Sequence, residues 1–164
     1  MNSNLAAARI TCMIREANRE DYPQLLDIQL TCIRGLADTY SENEILAWTN
    51  YLDREGANRY GQYENRMFIG EKDQAIGFVS WLQDTQKPEA NLECLYVLAQ
   101  FRNRGIGALL LQEAEASLPG GTIITVRSAL NAEPFYARHG YRNMGHTVSR
   151  AGFRVSLLEK TVQT

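Results

Sequence analysis

Arg102-Asn103-Arg104-Gly105-Ile106-Gly107-Ala108 joins two stretches of different periodicity. Before it, Asn91-Leu92-Glu93-Cys94-Leu95-Tyr96-Val97 has the content of a strand; after it, from Gly105 to Leu118, apolar residues recur at helical spacing until Pro119-Gly120-Gly121 stops them. Glycine at the start of a helix leaves outward-pointing amides open to a ligand, because no Cβ covers them. Those amides and the positive end of the helix dipole suit an anion, a pyrophosphate above all. The same Gly-x-Gly pattern also lets a helix pack closely on a sheet, and the local sequence favours neither reading. A dinucleotide fingerprint needs a third glycine or alanine three residues after Gly107, where Leu110 stands, and the Gly-Lys-Ser/Thr of a triphosphate loop is absent.

Outward from this turn the chain alternates strands and helices. Ile10 to Arg15 has strand content, and Asn18 to Gly35 carries Leu25, Leu26, Ile28, Leu30 and Ile33 at roughly helical spacing behind Pro23. Ser41-Glu42-Asn43-Glu44 is a capping box, in which each end satisfies the other's free N–H, so a second helix begins there. Met67-Phe68-Ile69 and Ala75 to Trp81 flank Gly70 to Gln74 as a hairpin. Thr122 to Val126 reads as a strand, and Ala132 to His139 as a helix between Pro134 and Gly140. Val148 and Phe153 to Leu158, around Gly152, predict a closing hairpin. The expected class is α/β, a mixed sheet with helices on both faces in the order β-α-α-β-β-β-α-β-α-β-β.

The 164 residues, 45% of them hydrophobic, suit one domain: residues 13–164, behind a loose leader at 1–12. A net charge of −2 gives no general attraction to nucleic acid or an anionic membrane. No stretch is long enough to span a bilayer, and Cys12, Cys32 and Cys94 have neither metal-type spacing nor an even number, so a reducing cytoplasm is expected.

Leu95-Tyr96-Val97, the Arg-x-x-Gly-x-Gly core of Arg102 to Ala108, and Asn131-Ala132-Glu133-Pro134-Phe135-Tyr136-Ala137-Arg138-His139-Gly140-Tyr141 resemble the two signature blocks of the GCN5-related N-acetyltransferases, the GNAT superfamily. Ile14 to Asp21 also resembles the way such chains open, and Tyr40 to Trp48 is similar to a YafP-like bacterial branch. The resemblance implies the GNAT fold, with a central twisted, mostly antiparallel sheet. It further implies an acetyl-CoA-dependent N-acetyltransferase acting by direct transfer to a primary amine of a small molecule or peptide in a ternary complex. A sensor or scaffold that binds acetyl-CoA without turnover is the alternative, kept open by Asn91, where many relatives carry an acid.

By the same resemblance, backbone groups of Leu95, Tyr96 and Val97 pair with the pantetheine arm, with the Val97 N–H near the thioester oxygen. Backbone groups of Arg102, Asn103, Arg104, Gly105, Ile106, Gly107 and Ala108 hold the pyrophosphate, with the two arginines adding charge or merely solvated; Asn131 reaches the pantetheine region, and Tyr136 is the general acid or simply part of the buried face of a helix. Asn131 reads equally as the N-cap of the helix after it. Regular alternation puts Asn91, Glu93, Leu95 and Val97 on one face, so Glu93 points at the thioester as a candidate base, or is simply a solvated strand glutamate. Cys94, facing away from Glu93, reads as a buried structural thiol.

The acceptor site is expected between Leu36 to Tyr51 and His146 to Phe153, with Tyr40, Trp48 and Trp81 as its aromatic residues and Asp38, Glu42 and Glu44 as acids suited to an ammonium. The alternative is that the tryptophans are core and the acids a solvated helix start. His139 and His146 lack a third ligand at metal spacing, so no metal is expected. A homodimer is a further expectation drawn from the family.

Overall fold

Residues 13–164 are described by the computed structural model. They form β1 (Ile14–Glu16), α1 (Tyr22–Arg34), α2 (Glu42–Glu55), β2 (Glu64–Ile69), β3 (Ala75–Gln83), β4 (Glu89–Val97), α3 (Ile106–Ala116), β5 (Ile123–Ser128), α4 (Glu133–Arg138), β6 (Arg142–Val148) and β7 (Arg154–Thr161), joined by short 3-10 turns. This is the expected order of elements. The loose leader expected at 1–12, and the start of the strand expected from Ile10, lie outside the described residues.

Local chemistry sets the element ends as read. The Ser41 hydroxyl accepts from the Glu44 amide while the Glu44 carboxylate accepts from the Ser41 amide, closing the capping box of α2. A second box, Asn18 with Asp21, precedes α1. Gly140, at φ +86°, follows α4. Asn131 does not cap α4: it lies inside the 3-10 turn Leu130–Ala132, and Ala132 occupies the cap position. The turn carries the chain one residue further before the helix begins.

The seven strands lie in the order β1-β2-β3-β4-β5-β7-β6, antiparallel except for β4 and β5. β7 is inserted between β5 and β6, which leaves β6 as an exposed edge. On one face α3 and α4 contribute Ile106, Leu110, Leu111 and Tyr136 to a cluster with Val79, Leu92 and Val126. On the other, α1 packs Leu25, Ile28 and Cys32 against Met67, Phe78 and Cys94, and α2 adds Trp48 and Leu52 beside Phe153 and Val155. Among the described residues no helix is long and apolar enough to cross a membrane.

Two irregularities in the sheet position the site. β4 runs alongside β5 only from Glu89 to Leu92, paired with Ile123 to Val126; beyond that the two strands part. The register of β3 on β4 also shifts: Ser80 pairs with Cys94 but Trp81 with Leu92, so Glu93 is an extra residue, a β-bulge.

Candidate active site

The turn before α3 is held in a shape that presents its amides. Asn103 and Gly105 have φ of +63° and +79°, the left-handed region that glycine enters freely and asparagine tolerates. Gly105 takes the cap position of α3 without a side-chain cap. Among the described residues, none of the amides from Asn103 to Ala108 finds an acceptor in the protein. An uncapped helix start with consecutive free N–H groups is a site for an anion, reinforced by the helix dipole. Arg102 does a different job: its Nε donates to the Val97 carbonyl at 3.1 Å and fastens the turn to the end of β4.

The parting of β4 from β5 adds a second set of free backbone groups. Leu98 N–H donates to Ile76 on β3, so alternation turns the N–H groups of Val97 and Leu95 away from β3 toward the open edge. An open strand edge of this kind accepts an extended ligand as an added strand. Gly77 lets β3 lie close behind it, since a Cβ there would stand 2.8 Å from the Tyr96 carbonyl oxygen.

These parts line one cleft of about 540 Å³, bordered by Leu95, Tyr96 and Val97, by Arg102, Asn103 and Gly105 to Ala108, and by Asn131, Phe135 and Tyr136. Of the residues expected to hold a coenzyme, Arg104 stands outside this lining; its guanidinium lies 5.5 Å from the Phe101 ring centre. Tyr136 is buried, and burial raises the pKa of its phenol well above the ordinary value, so the group is protonated at neutral pH. Its hydroxyl has no hydrogen-bond partner among the described residues and borders the cleft.

The bulge corrects the expected alternation. Leu92 packs on the α3 side and Cys94 on the α1 side, although regular spacing would place them together. Asn91 and Glu93 therefore line a second cleft, of about 820 Å³, on the α1 and α2 side, while Leu95 and Val97 pack toward α3. Tyr96 borders both clefts. Glu93 accepts from Asn91 Nδ2 at 2.5 Å and pairs with Arg59 at 3.5 Å.

The acetyltransferase (GNAT) domain model matches residues 36–162. The chain belongs to the GNAT family. No curated protein matches it. Among solved structures, its fold is similar to a GCN5-related N-acetyltransferase from Rhodopseudomonas palustris, at 24% identity over 90% of this chain and 94% of that one, with a TM-score of 0.74. It is similar also to PaiA N-acetyltransferase from Thermoplasma acidophilum, solved in complex with coenzyme A, at 19% identity over 90% and 97% with a TM-score of 0.66. An aminoglycoside 6'-acetyltransferase type Ii gives 21% identity over 92% and 97%, with a TM-score of 0.62.

Of the residues expected at the acceptor site of this GNAT chain, Trp48 borders the second cleft, stacked on Phe153 at 4.1 Å between ring centres. Tyr40 is core: its hydroxyl donates to the Arg154 carbonyl at 2.7 Å and accepts from the Leu130 amide at 3.0 Å. Trp81, 3% exposed, is buried on the α3 side and borders neither cleft. Glu44 is committed to a two-oxygen ion pair with Arg154, at 3.0 Å to both Nε and Nη2, which holds its carboxyl down at about 2. The sequence reading missed Arg59 and Glu55, which border the cleft with Tyr51, the last residue of the first expected region, from α2 and the 3-10 turn Ala57–Gln62. No short motif marks them, because they reach the cleft only when α2 and the turn after it pack against α1.

Proposed function

We propose that the protein is an N-acetyltransferase that moves the acetyl group of acetyl-CoA onto a primary amine of a small molecule or peptide within a ternary complex. The observation that carries this reading is the convergence on one cleft of the free amides of Asn103 to Ala108, the open edge of β4 and the unpartnered hydroxyl of Tyr136. Six consecutive amides suit a pyrophosphate, and the strand edge suits the two amide groups of a pantetheine arm. Family membership supports acetyl transfer as the class of reaction.

In this reading the amides of the turn bind the pyrophosphate, and Leu95 and Val97 orient the arm so that the Val97 N–H lies by the thioester oxygen. That N–H stabilises the charge developing there as the amine attacks. Glu93 takes the proton from the incoming ammonium, directly or through water, and Tyr136 gives its proton to the sulfur as the carbon–sulfur bond breaks. Asn91 and Arg59 fix the carboxylate of Glu93. The products are an amide and free coenzyme A.

Release of free thiol from acetyl-CoA in the presence of a panel of amines, amino acids and peptides tests this. Acceptor-dependent thiol that Tyr136→Phe suppresses supports the reading. Coenzyme binding with no acceptor-dependent thiol, and no effect of Tyr136→Phe, replaces it with a sensor that binds without turnover.

A further inference from the structure

Arg59 stands in the second cleft with its binding capacity largely unused. Its side chain is only 6% exposed, and Nη1 is the buried side-chain nitrogen left without a hydrogen-bond partner among the described residues. Nη2 reaches Glu93 at 3.5 Å, at the outer limit of a hydrogen bond. Glu93 is itself shared with Asn91. The rings of Tyr51, Tyr60 and Tyr63 surround the guanidinium, with centres 5.9, 5.5 and 5.9 Å from its carbon. Three rings fix a cation and offset part of its desolvation, but among the described residues their hydroxyls complete no hydrogen bond to Nη1, and that of Tyr60 donates to Gln29 instead. A desolvated guanidinium with an unpaired fork is costly unless an oxyanion completes it.

From this we infer that Arg59 is the receptor for a carboxylate on the acceptor, so that the substrate is an amino-carboxylate whose amine faces Glu93. The inference rests on the acetyl-transfer reading for the amine and on Arg59 alone for the acid. The planar fork of arginine matches a carboxylate in two parallel bonds. The charges around the cleft agree: Glu55, Glu93 and Glu159 are balanced by Arg59, Arg127 and Arg150. A polyamine gains nothing from such a balance and meets the buried cation of Arg59. A molecule carrying one charge of each sign forms an alternating row, from Glu93 to its ammonium and from its carboxylate to Arg59.

The test compares each common L-amino acid with its α-amide and with its decarboxylated amine, all with saturating acetyl-CoA, on the wild type and Arg59→Gln. The wild type should favour at least one acid over both of its analogues by roughly 30-fold or more in kcat/KM, the scale of a buried charge pair. Arg59→Gln should raise KM for that acid by a similar factor, over and above any change it makes to every acceptor through Glu93. Amides or amines used as well as acids would overturn the assignment. So would a fall in kcat for every acceptor alike with no rise in KM confined to the acids, which is what mere support of Glu93 would give.

Thermal shift of the protein loaded with acetyl-CoA reads the carboxylate arm apart from turnover. An acid should raise the midpoint of the wild type, its α-amide should not, and Arg59→Gln should abolish the shift. Equal or absent shifts for acids and amides overturn the assignment. An intact acid-specific shift without thiol release upholds Arg59 and removes only the acetyl-transfer reading. If Arg59→Gln does not fold, the discrimination of acid from amide by the wild type decides alone.

Discussion

Glu93 shares a face of β4 with Tyr96, three residues further along, because Glu93 is itself the extra residue of the bulge opposite Ser80 and Trp81. The carboxylate is thereby taken off the row of Leu95 and Val97 and set in the second cleft, where an acceptor can reach it while the strand edge stays open to the coenzyme. If this placement serves proton removal, Glu93→Gln lowers kcat by about 10²- to 10⁴-fold, the range of general base catalysis. Acetyl-CoA affinity, read by calorimetry, should be unchanged, since Glu93 does not border the first cleft. A matched loss of coenzyme binding would assign Glu93 a structural role instead.

Tyr136 should act through its proton alone. Tyr136→Phe keeps the ring that packs 5.2 Å from Phe135 and from Tyr141, so folding and coenzyme affinity are expected to survive while kcat falls by about 10²-fold. Burial raises the phenol's pKa, so its protonated form, the form an acid needs, persists past the ordinary tyrosine value of about 10. The kcat profile should therefore show no alkaline fall from this group below that pH. A tyrosine-dependent fall centred lower, absent in the phenylalanine variant, would contradict the assignment.

The left-handed turn at Gly105 should be intolerant of branched residues. Gly105→Val meets no neighbour within 4 Å, so its cost is backbone strain at φ +79°, of order 1–3 kcal/mol. Relief of that strain by rotation would turn away the amides that follow, and acetyl-CoA binding should weaken at least 10-fold in calorimetry. Normal affinity would place the phosphate site elsewhere.

The ion pair of Glu44 with Arg154 predicts an acid-dependent contribution to stability. Arg154 lowers the Glu44 carboxyl from 4.5 to about 2 in the folded chain. A depressed carboxylate pKa stabilises the fold above the unfolded value and ceases to do so as pH falls through the folded value. The thermal midpoint of Glu44→Gln should therefore lie below that of the wild type at neutral pH, and the two should converge across the window from 4.5 to about 2. A difference that persists below this window would point to the capping bond from Ser41 rather than to charge.

Much of this arrangement was legible in the sequence because it rests on periodicity and local caps: the order of elements, the capping box at Ser41 and the glycine turn before α3. The register was not. A bulge adds one residue without any compositional mark, so alternation assigned Glu93 to the wrong row. β6 was seen only near Val148, since every residue from Arg142 to Val148 is exposed and gives no apolar alternation to read. Trp81 and Tyr40 carry the composition of a binding surface, yet long-range packing spends both on the core. Arg59 was missed for the converse reason: its meaning comes from three tyrosines and a strand 34 residues away.

Titration of acetyl-CoA into uniformly ¹⁵N-labelled protein, with amide resonances followed residue by residue, reads the coenzyme site directly. The amides of Asn103 to Ala108 should move most, as donors to phosphate, together with those of Leu95 and Val97 along the open strand edge. Saturable binding that leaves these amides unmoved, or no binding at all, would contradict the account.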